Sequence, residues 1–243
     1  MYIVVTGALS GIGKETVTHL AENNWNVIAC VERDCSDFKK FSNNLSKKTS
    51  QKIEVINFDL GDEESIINAA KKIKSLKVDL KGLVNIAGIT KDSSVLMTSS
   101  QDLKHVNDIN FFGPVVFTQY FIKLTQRSDT AKSVVFISSI SALDGIEGML
   151  SYGTSKNAIV NAARVFSREL GDKNYRFNVI APGVIDTKMN EKVPSDILEK
   201  RIASTSLRRI GSPKEVSKVI EFLISDYSSF ITGQTIRVDG GIG

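Results

Sequence analysis

The chain has 243 residues, 42% of them apolar and 24% charged, and its 31 Lys and Arg against 27 Asp and Glu leave a net charge of +4. That length fits one large domain or two small ones, and the mixed composition excludes a disordered or fibrous chain. So small and scattered a basic excess offers no footprint for nucleic acid or an anionic membrane, and no run approaches the ~18 uninterrupted apolar residues of a membrane span.

In chain order, strands are expected at 2–5, 27–31, 53–58, 83–85, 134–138, 177–180 and 235–238, with helices near 12–23, 62–76, 100–112, 114–127, 152–170 and 213–225. Apolar strands this short read as buried on both faces, as in a parallel sheet covered by helices. Their alternation with amphipathic segments predicts an α/β fold: one doubly wound, seven-stranded parallel sheet, helices on both faces, in a single domain over 1–243. Ser212-Pro213 with Glu215 reads as an N-cap with proline at N1, and Asp62-Glu63-Glu64 places acids at the positive end of another helix. The Lys39-Lys40 and Lys47-Lys48 pairs read as a solvated face.

Cysteine and histidine usage narrows the chemistry. Cys30 and Cys35 are too few for a disulfide framework or a four-cysteine zinc site, and Cys30 sits in an apolar strand as a small hydrophobe. His19 and His105 are isolated, read as helix-surface residues, and supply neither a zinc pair nor a triad base; no G-x-S-x-G elbow is present. No metal site is expected. The N-terminus opens directly on strand residues without a signal-peptide pattern, so the cytoplasm is expected.

The first strand runs into Thr6-Gly7-Ala8-Leu9-Ser10-Gly11-Ile12-Gly13, and a helix begins at once. Glycines let the chain turn sharply and let backbone approach a pyrophosphate, while the helix N-terminus offers free N–H groups; Gly7, Ser10, Gly11, Ile12 and Gly13 are therefore cofactor candidates. After the second strand, Glu32 stands near the spacing of a ribose-diol acid, and Arg33 beside it is suited to a 2′-phosphate, with Lys14 to assist. Asp59, followed by Leu60, ends the third strand where a carboxylate can accept an adenine amino group. Asn85, Ala87 and Gly88 end the fourth, with small residues that admit a ligand to the backbone. All lie at carboxyl ends of strands, where open α/β sheets bind ligands.

Tyr152 and Lys156 share one helix face at i and i+4. A phenol near pKa 10 is a poor base at neutral pH, and an adjacent ammonium favours its ionised form, so Lys156 is expected to lower Tyr152. Ser139, just past the fifth strand, can donate to a substrate carbonyl and hold it for a hydride donor.

These residues resemble a classical short-chain dehydrogenase/reductase over essentially the full chain: T-G-x-x-x-G-x-G at 6–13, N-x-A-G at 85–88, Asn110, Ser139, Y-x-x-x-K at 152–156 and P-G-x-x-x-T at 182–187. The resemblance implies a Rossmann-type fold and a hydride transfer between nicotinamide and a ketone or secondary alcohol. It implies that Tyr152 is the acid/base, that Ser139 orients the carbonyl, that Lys156 binds ribose, and that Asn110 holds a relay water. Pro182, Gly183, Val184 and Thr187 would fasten the nicotinamide end. Val31 and Glu32 stand where family members carry cofactor-deciding residues, which leaves NADP(H) slightly favoured and NAD(H) open.

The stretches 207–216 and 231–241 are similar to 3-oxoacyl-[acyl-carrier-protein] reductases. A sugar or polyol dehydrogenase using NAD is the alternative, and an inactive cofactor-binding regulator the alternative of another class. Residues 186–206, with Lys188, Met189, Asn190, Glu191, Lys192, Val193, Pro194 and Ile197, are expected to form a substrate lid. Were an acyl-carrier protein the partner, Arg127, Lys132 and Lys173 are the candidate cations to receive it. The family resemblance also implies a homotetramer, built through 100–127, 152–170 and the C-terminal segment.

Overall fold

The computed structural model describes residues 1–189 and 193–242. In chain order its strands are β1 (Tyr2–Val5), β2 (Asn26–Val31), β3 (Ile53–Asn57), β4 (Leu80–Asn85), β5 (Lys132–Ile137), β6 (Tyr175–Pro182) and β7 (Thr235–Val238). Helices α1 (Gly11–Glu22), α2 (Ser36–Thr49), α3 (Glu63–Ser75), α4 (Ser100–Asn107), α5 (Gly113–Thr125), α6 (Ser141–Asp144), α7 (Leu150–Leu170), α8 (Ser195–Ala203) and α9 (Pro213–Ile224) connect them. The strands pair in the order β3-β2-β1-β4-β5-β6-β7, all parallel, as the alternating pattern predicts.

Each strand presents alternate residues to two cores, because successive side chains point to opposite faces. Val4, Leu83, Val134 and Phe177 pack on Ile66 and Ile73 of α3, Phe117 and Phe121 of α5, and Ile159 and Ala163 of α7. Val5, Val84, Val135 and Ile180 pack on Val17 and Leu20 of α1, Phe38 and Leu45 of α2, and Val216, Ile220 and Leu223 of α9. The capping box forms as expected: the Glu215 N–H donates to Ser212 Oγ at 3.3 Å and the Ser212 N–H to Glu215 Oε2 at 2.8 Å. Asp62 caps α3 by accepting from the Glu64 N–H at 3.0 Å.

Three departures from expectation have physical causes. The lysine pairs are solvated as expected, but they stand on an unexpected helix, α2, which buries only Phe38, Ser42 and Leu45, so its apolar stripe is too narrow to read against the charges. The expected helix 100–112 divides into α4 and one π-turn, Asp108–Phe112, which runs on into α5. His19 is buried rather than on the surface: Glu221 of α9 holds its Nε2 at 2.7 Å, tying together the helix pair that covers one face.

At the amino end of the sheet, Lys81 pairs with Asp226 at 2.8 Å. Lys132, 1% exposed, reaches Thr130 and Asp79, and burial pushes its amine below the usual lysine range. Lys132 is therefore not free to receive a partner protein. Arg127 and Lys173 are exposed, but they follow α5 and α7 where the chain enters β5 and β6, at the opposite end of this chain from the strand carboxyl ends.

Candidate active site

A cleft of about 650 Å³ opens along the carboxyl ends of the strands. Gly7, Ser10, Gly11, Ile12 and Gly13 line it where β1 turns into α1. A Cβ on Gly13 would lie 2.0 Å from the Gly7 carbonyl oxygen, so no larger residue closes this turn. Ser10 is the N-cap residue yet makes no capping bond, and the first turn holds no acid. The opening N–H groups of α1 thus face the cleft without a side-chain acceptor, which suits an anion. Thr6 fixes the neighbouring strand end: its Oγ1 accepts the N–H groups of Ile86 and Ala87 at 3.0 and 3.3 Å.

Beyond β2, Glu32 and Arg33 line the cleft, exposed, and neither has an ion pair or hydrogen-bonded side-chain partner among the described residues. Lys14 does not join Arg33 as expected; its ammonium lies over the Phe41 ring, 4.5 Å from the centroid, outside the cleft lining. Asp59 lines the same end with one oxygen committed to the Gly61 N–H at 2.7 Å, and Leu60 is buried beside it. Ala87 and Gly88 line the centre. Asn85 does not: it is buried behind them, donating to Thr118 Oγ1 at 3.0 Å, with its Oδ1 unpartnered among the described residues.

Tyr152 and Lys156 stand on the first turns of α7, and Ser139 follows β5; all three line the cleft. Ser138 Oγ donates to the Lys156 carbonyl at 2.8 Å, and the Lys156 ammonium donates to the Ile137 carbonyl at 2.9 Å, so α7 is pinned to the end of β5. Ser139 Oγ accepts the Ser141 N–H at 3.2 Å and lies 2.9 Å from Ser141 Oγ. Burial pushes the Tyr152 phenol up to about 12, against the Ser139 hydroxyl and with the Asp92 carboxylate. Burial also pushes the Lys156 ammonium down to about 8. The expected lowering of Tyr152 by Lys156 is absent: the ammonium lies 5.8 Å from the ring centroid and is engaged by a carbonyl. Asn110, in the π-turn, is fully buried, accepting the Ile89 N–H at 2.8 Å and donating to the Ile89 carbonyl at 2.9 Å and Ser155 Oγ at 3.0 Å. It lies behind the cleft lining rather than in it.

A family model described as "Enoyl-(Acyl carrier protein) reductase" matches residues 7–243. The 3-oxoacyl-[acyl-carrier-protein] reductase FabG of Thermotoga maritima is 34% identical over 247 residues, covering 98% of this chain and 96% of the relative. An acetoacetyl-CoA reductase of an Acinetobacter species is 28% identical, covering 98% and 96%. A solved short-chain type dehydrogenase/reductase from Mycobacterium ulcerans superposes with a TM-score of 0.93 at 27% identity, covering 99% of this chain and 88% of that one. The chain belongs to the short-chain dehydrogenase/reductase family. It is accordingly an oxidoreductase of hydroxyl or ketone substrates that works with a nicotinamide cofactor.

In this short-chain dehydrogenase/reductase, Pro182, Gly183 and Val184 line the cleft as β6 ends, and the Gly183 N–H donates to the Val238 carbonyl at 3.0 Å. Thr187 lies over the glycine turn, where a Cβ on Gly11 would meet its Cγ2 at 3.2 Å. Lys188, Met189, Val193, Arg201 and Ser204 continue the lining from the region expected to be a lid. Asn190, Glu191 and Lys192 lie outside the described residues. The sequence reading missed Ile140, Ile146 and Met149, which form an apolar wall beside Tyr152, and Asp92 on the loop after β4. No short motif marks 140–149; only its place between Ser139 and Tyr152 hints at the wall. Among the described residues no helix is long and apolar enough to cross a membrane, and no group of His, Cys, Asp or Glu is placed to hold a metal.

Proposed function

We propose that this enzyme reduces the 3-oxo group of an acyl thioester with NADPH. The single observation that carries the proposal is a buried phenol, Tyr152, held protonated beside Ser139 in a cleft whose far end offers uncapped helix donors and an unpaired arginine. The residues fit a dinucleotide. A Cβ on Gly88 would lie 3.0 Å from Lys156 Nζ, so the floor stays open only as glycine, and the α1 donors suit a pyrophosphate. The nicotinamide, when bound, supplies the hydride.

Ser139 donates a hydrogen bond to the substrate carbonyl and holds its carbon toward the donor face. Tyr152 Oη gives its proton to the developing alkoxide, and a phenol near 12 is fully protonated at neutral pH, the form an acid needs for reduction. Lys156 holds the ribose hydroxyls, and Asn110, through Ile89 and Ser155, positions the strand end against α7. Arg33 takes the 2′-phosphate, Glu32 stays in solvent, Asp59 meets the adenine, and Thr187 with Val184 holds the nicotinamide end. The relatives named for 3-oxoacyl and acetoacetyl thioesters support this substrate class.

Glu32, equally unpaired at the cleft, favours a second reading, an NAD-linked sugar or polyol dehydrogenase. A regulator without turnover has no support while Ser139, Tyr152 and Lys156 all line the cleft. The proposal includes a cytoplasmic homotetramer, supported by Phe112 and Val165, 55% and 45% exposed, on the segments expected to meet another copy.

Fluorescence titration with NADPH and NADH, followed by turnover of acetoacetyl-CoA, tests the proposal. Tighter binding of NADPH with thioester reduction is expected. Tighter binding of NADH with oxidation of sugars or polyols would establish the second reading, and binding of neither would refute both.

A further inference from the structure

Two cations of the lid line the cleft without a partner among the described residues. Lys188 is exposed and Arg201, in the last turn of α8, is half-buried; both line the cleft, and neither side chain has an acceptor among the described residues. The dipole of α8 favours a basic residue in its last turn, but does not require it to face the cleft. One turn on, Thr205 pairs with Ile242, which follows β7, so Arg201 stands on the β6–β7 side. The adenosine end, with Glu32, Arg33 and Asp59, lies over β2 and β3 on the other side.

Among the described residues, few other charges line this half of the cleft. Across the cleft, Asp92 accepts the Thr90 hydroxyl, and Lys156 is held deep by the Ile137 carbonyl. Asp196 and Glu199 of α8 are exposed and do not line the cleft. Among the described residues, two cations without an acceptor therefore line the same cleft as the apolar wall of Ile140, Ile146 and Met149. A wall of that kind takes an acyl chain; a rim of that charge takes an anion that stays near solvent.

We infer that Lys188 and Arg201 form an anion clamp that reads the phosphate of the substrate's thiol carrier, where the carrier's arm leaves the cleft. The inference rests on the thioester reading above. It assigns recognition of the carrier's phosphate to the lid. The pyrophosphate of the cofactor already has the α1 donors, so the clamp answers to the substrate.

The test compares acetoacetyl-CoA with acetoacetyl-N-acetylcysteamine, which carries the same acyl group and no phosphate. For the wild type, kcat/KM is expected to favour the CoA thioester by roughly tenfold or more, as charge-assisted contacts allow, and the preference should fall as salt rises. In Lys188→Gln, Arg201→Gln and the double variant, the preference and its salt dependence should shrink stepwise, with NADPH affinity within about twofold of wild type. An unchanged ratio while the N-acetylcysteamine ester is still reduced overturns the clamp alone. A matching loss of NADPH affinity also overturns it, by assigning the pair to the cofactor. Wild-type turnover of neither thioester overturns the thioester reading and the clamp with it.

Discussion

Over β1 and α1 the cleft is lined by backbone: Gly7, Gly11 and Gly13 leave no side chain to contribute, and the donors are N–H groups fixed by the fold. Over β6 and β7 it is lined by side chains, among them Lys188, Met189 and Arg201, most of them exposed on a segment that buries little. Backbone sites tolerate almost no substitution and so leave a spaced motif in the sequence. Side-chain sites on an exposed segment change without cost to the fold, and there the choice of substrate is made.

The largest effect expected is on the chemistry both halves share. Tyr152→Phe removes only the transferable proton, so kcat should fall roughly a thousandfold, within the range of general acid catalysis, while NADPH binding stays within about twofold. Next, Gly13→Ala attacks the backbone half. Its Cβ would overlap the Gly7 carbonyl, and unfolding by urea should show a loss of about 3 kcal/mol with cofactor binding lost, the upper end of overpacking costs.

Lys156 tests the junction of the halves. Its folded value, about 8, lies below the 10.5 of an ordinary lysine. Between those values the unfolded chain binds more protons, so stability rises with pH across that window and its cost is fully present below it. Lys156→Met should therefore gain up to about 3 kcal/mol at neutral pH, at 1.36 kcal/mol per pH unit, and lose that advantage above pH 10.5. Urea titrations at neutral and alkaline pH measure the difference; cofactor affinity should fall in the same variant.

Arg33→Ala should weaken NADPH by about tenfold and leave NADH unmoved, since one charge-assisted phosphate contact is lost. The smallest effect belongs to the lid. Met189→Ala, at a side chain 46% exposed, should cost under about 1 kcal/mol in stability yet alter the preferred acyl length, read as kcat/KM along a series of thioesters.

What could be read from the sequence follows the same division. The seven strands were legible because each is a short run rich in apolar residues, buried on both faces in β1, β4 and β5 and half-buried at the edges in β3 and β7, although β4 begins at Leu80 and β6 spans Tyr175–Pro182, beyond the runs expected. Their added ends carry Lys81 and Arg176, charged residues that break the apolar pattern and pair with Asp226 and Ser228 far along the chain. The glycine turn, Ser139, Tyr152 and Lys156 came together in the cleft because backbone geometry fixes their spacing. The burial of Lys132 and His19 was not legible, since each is made tolerable by a partner far along the chain, Asp79 and Glu221. Nor was the seclusion of Asn85 and Asn110 behind the lining, which depends on where α5 and α7 pack.

The most direct test of the account is the pH dependence of kcat/KM for ketone reduction by the wild-type enzyme between pH 6 and 10. With Tyr152 protonated throughout and Lys156 near 8, the profile should be flat through neutrality and fall only as Lys156 discharges. A limb centred near the ~6.5 of an ordinary histidine would contradict it, because His19 and His105 both lie outside the cleft and the proton would have to come from another group.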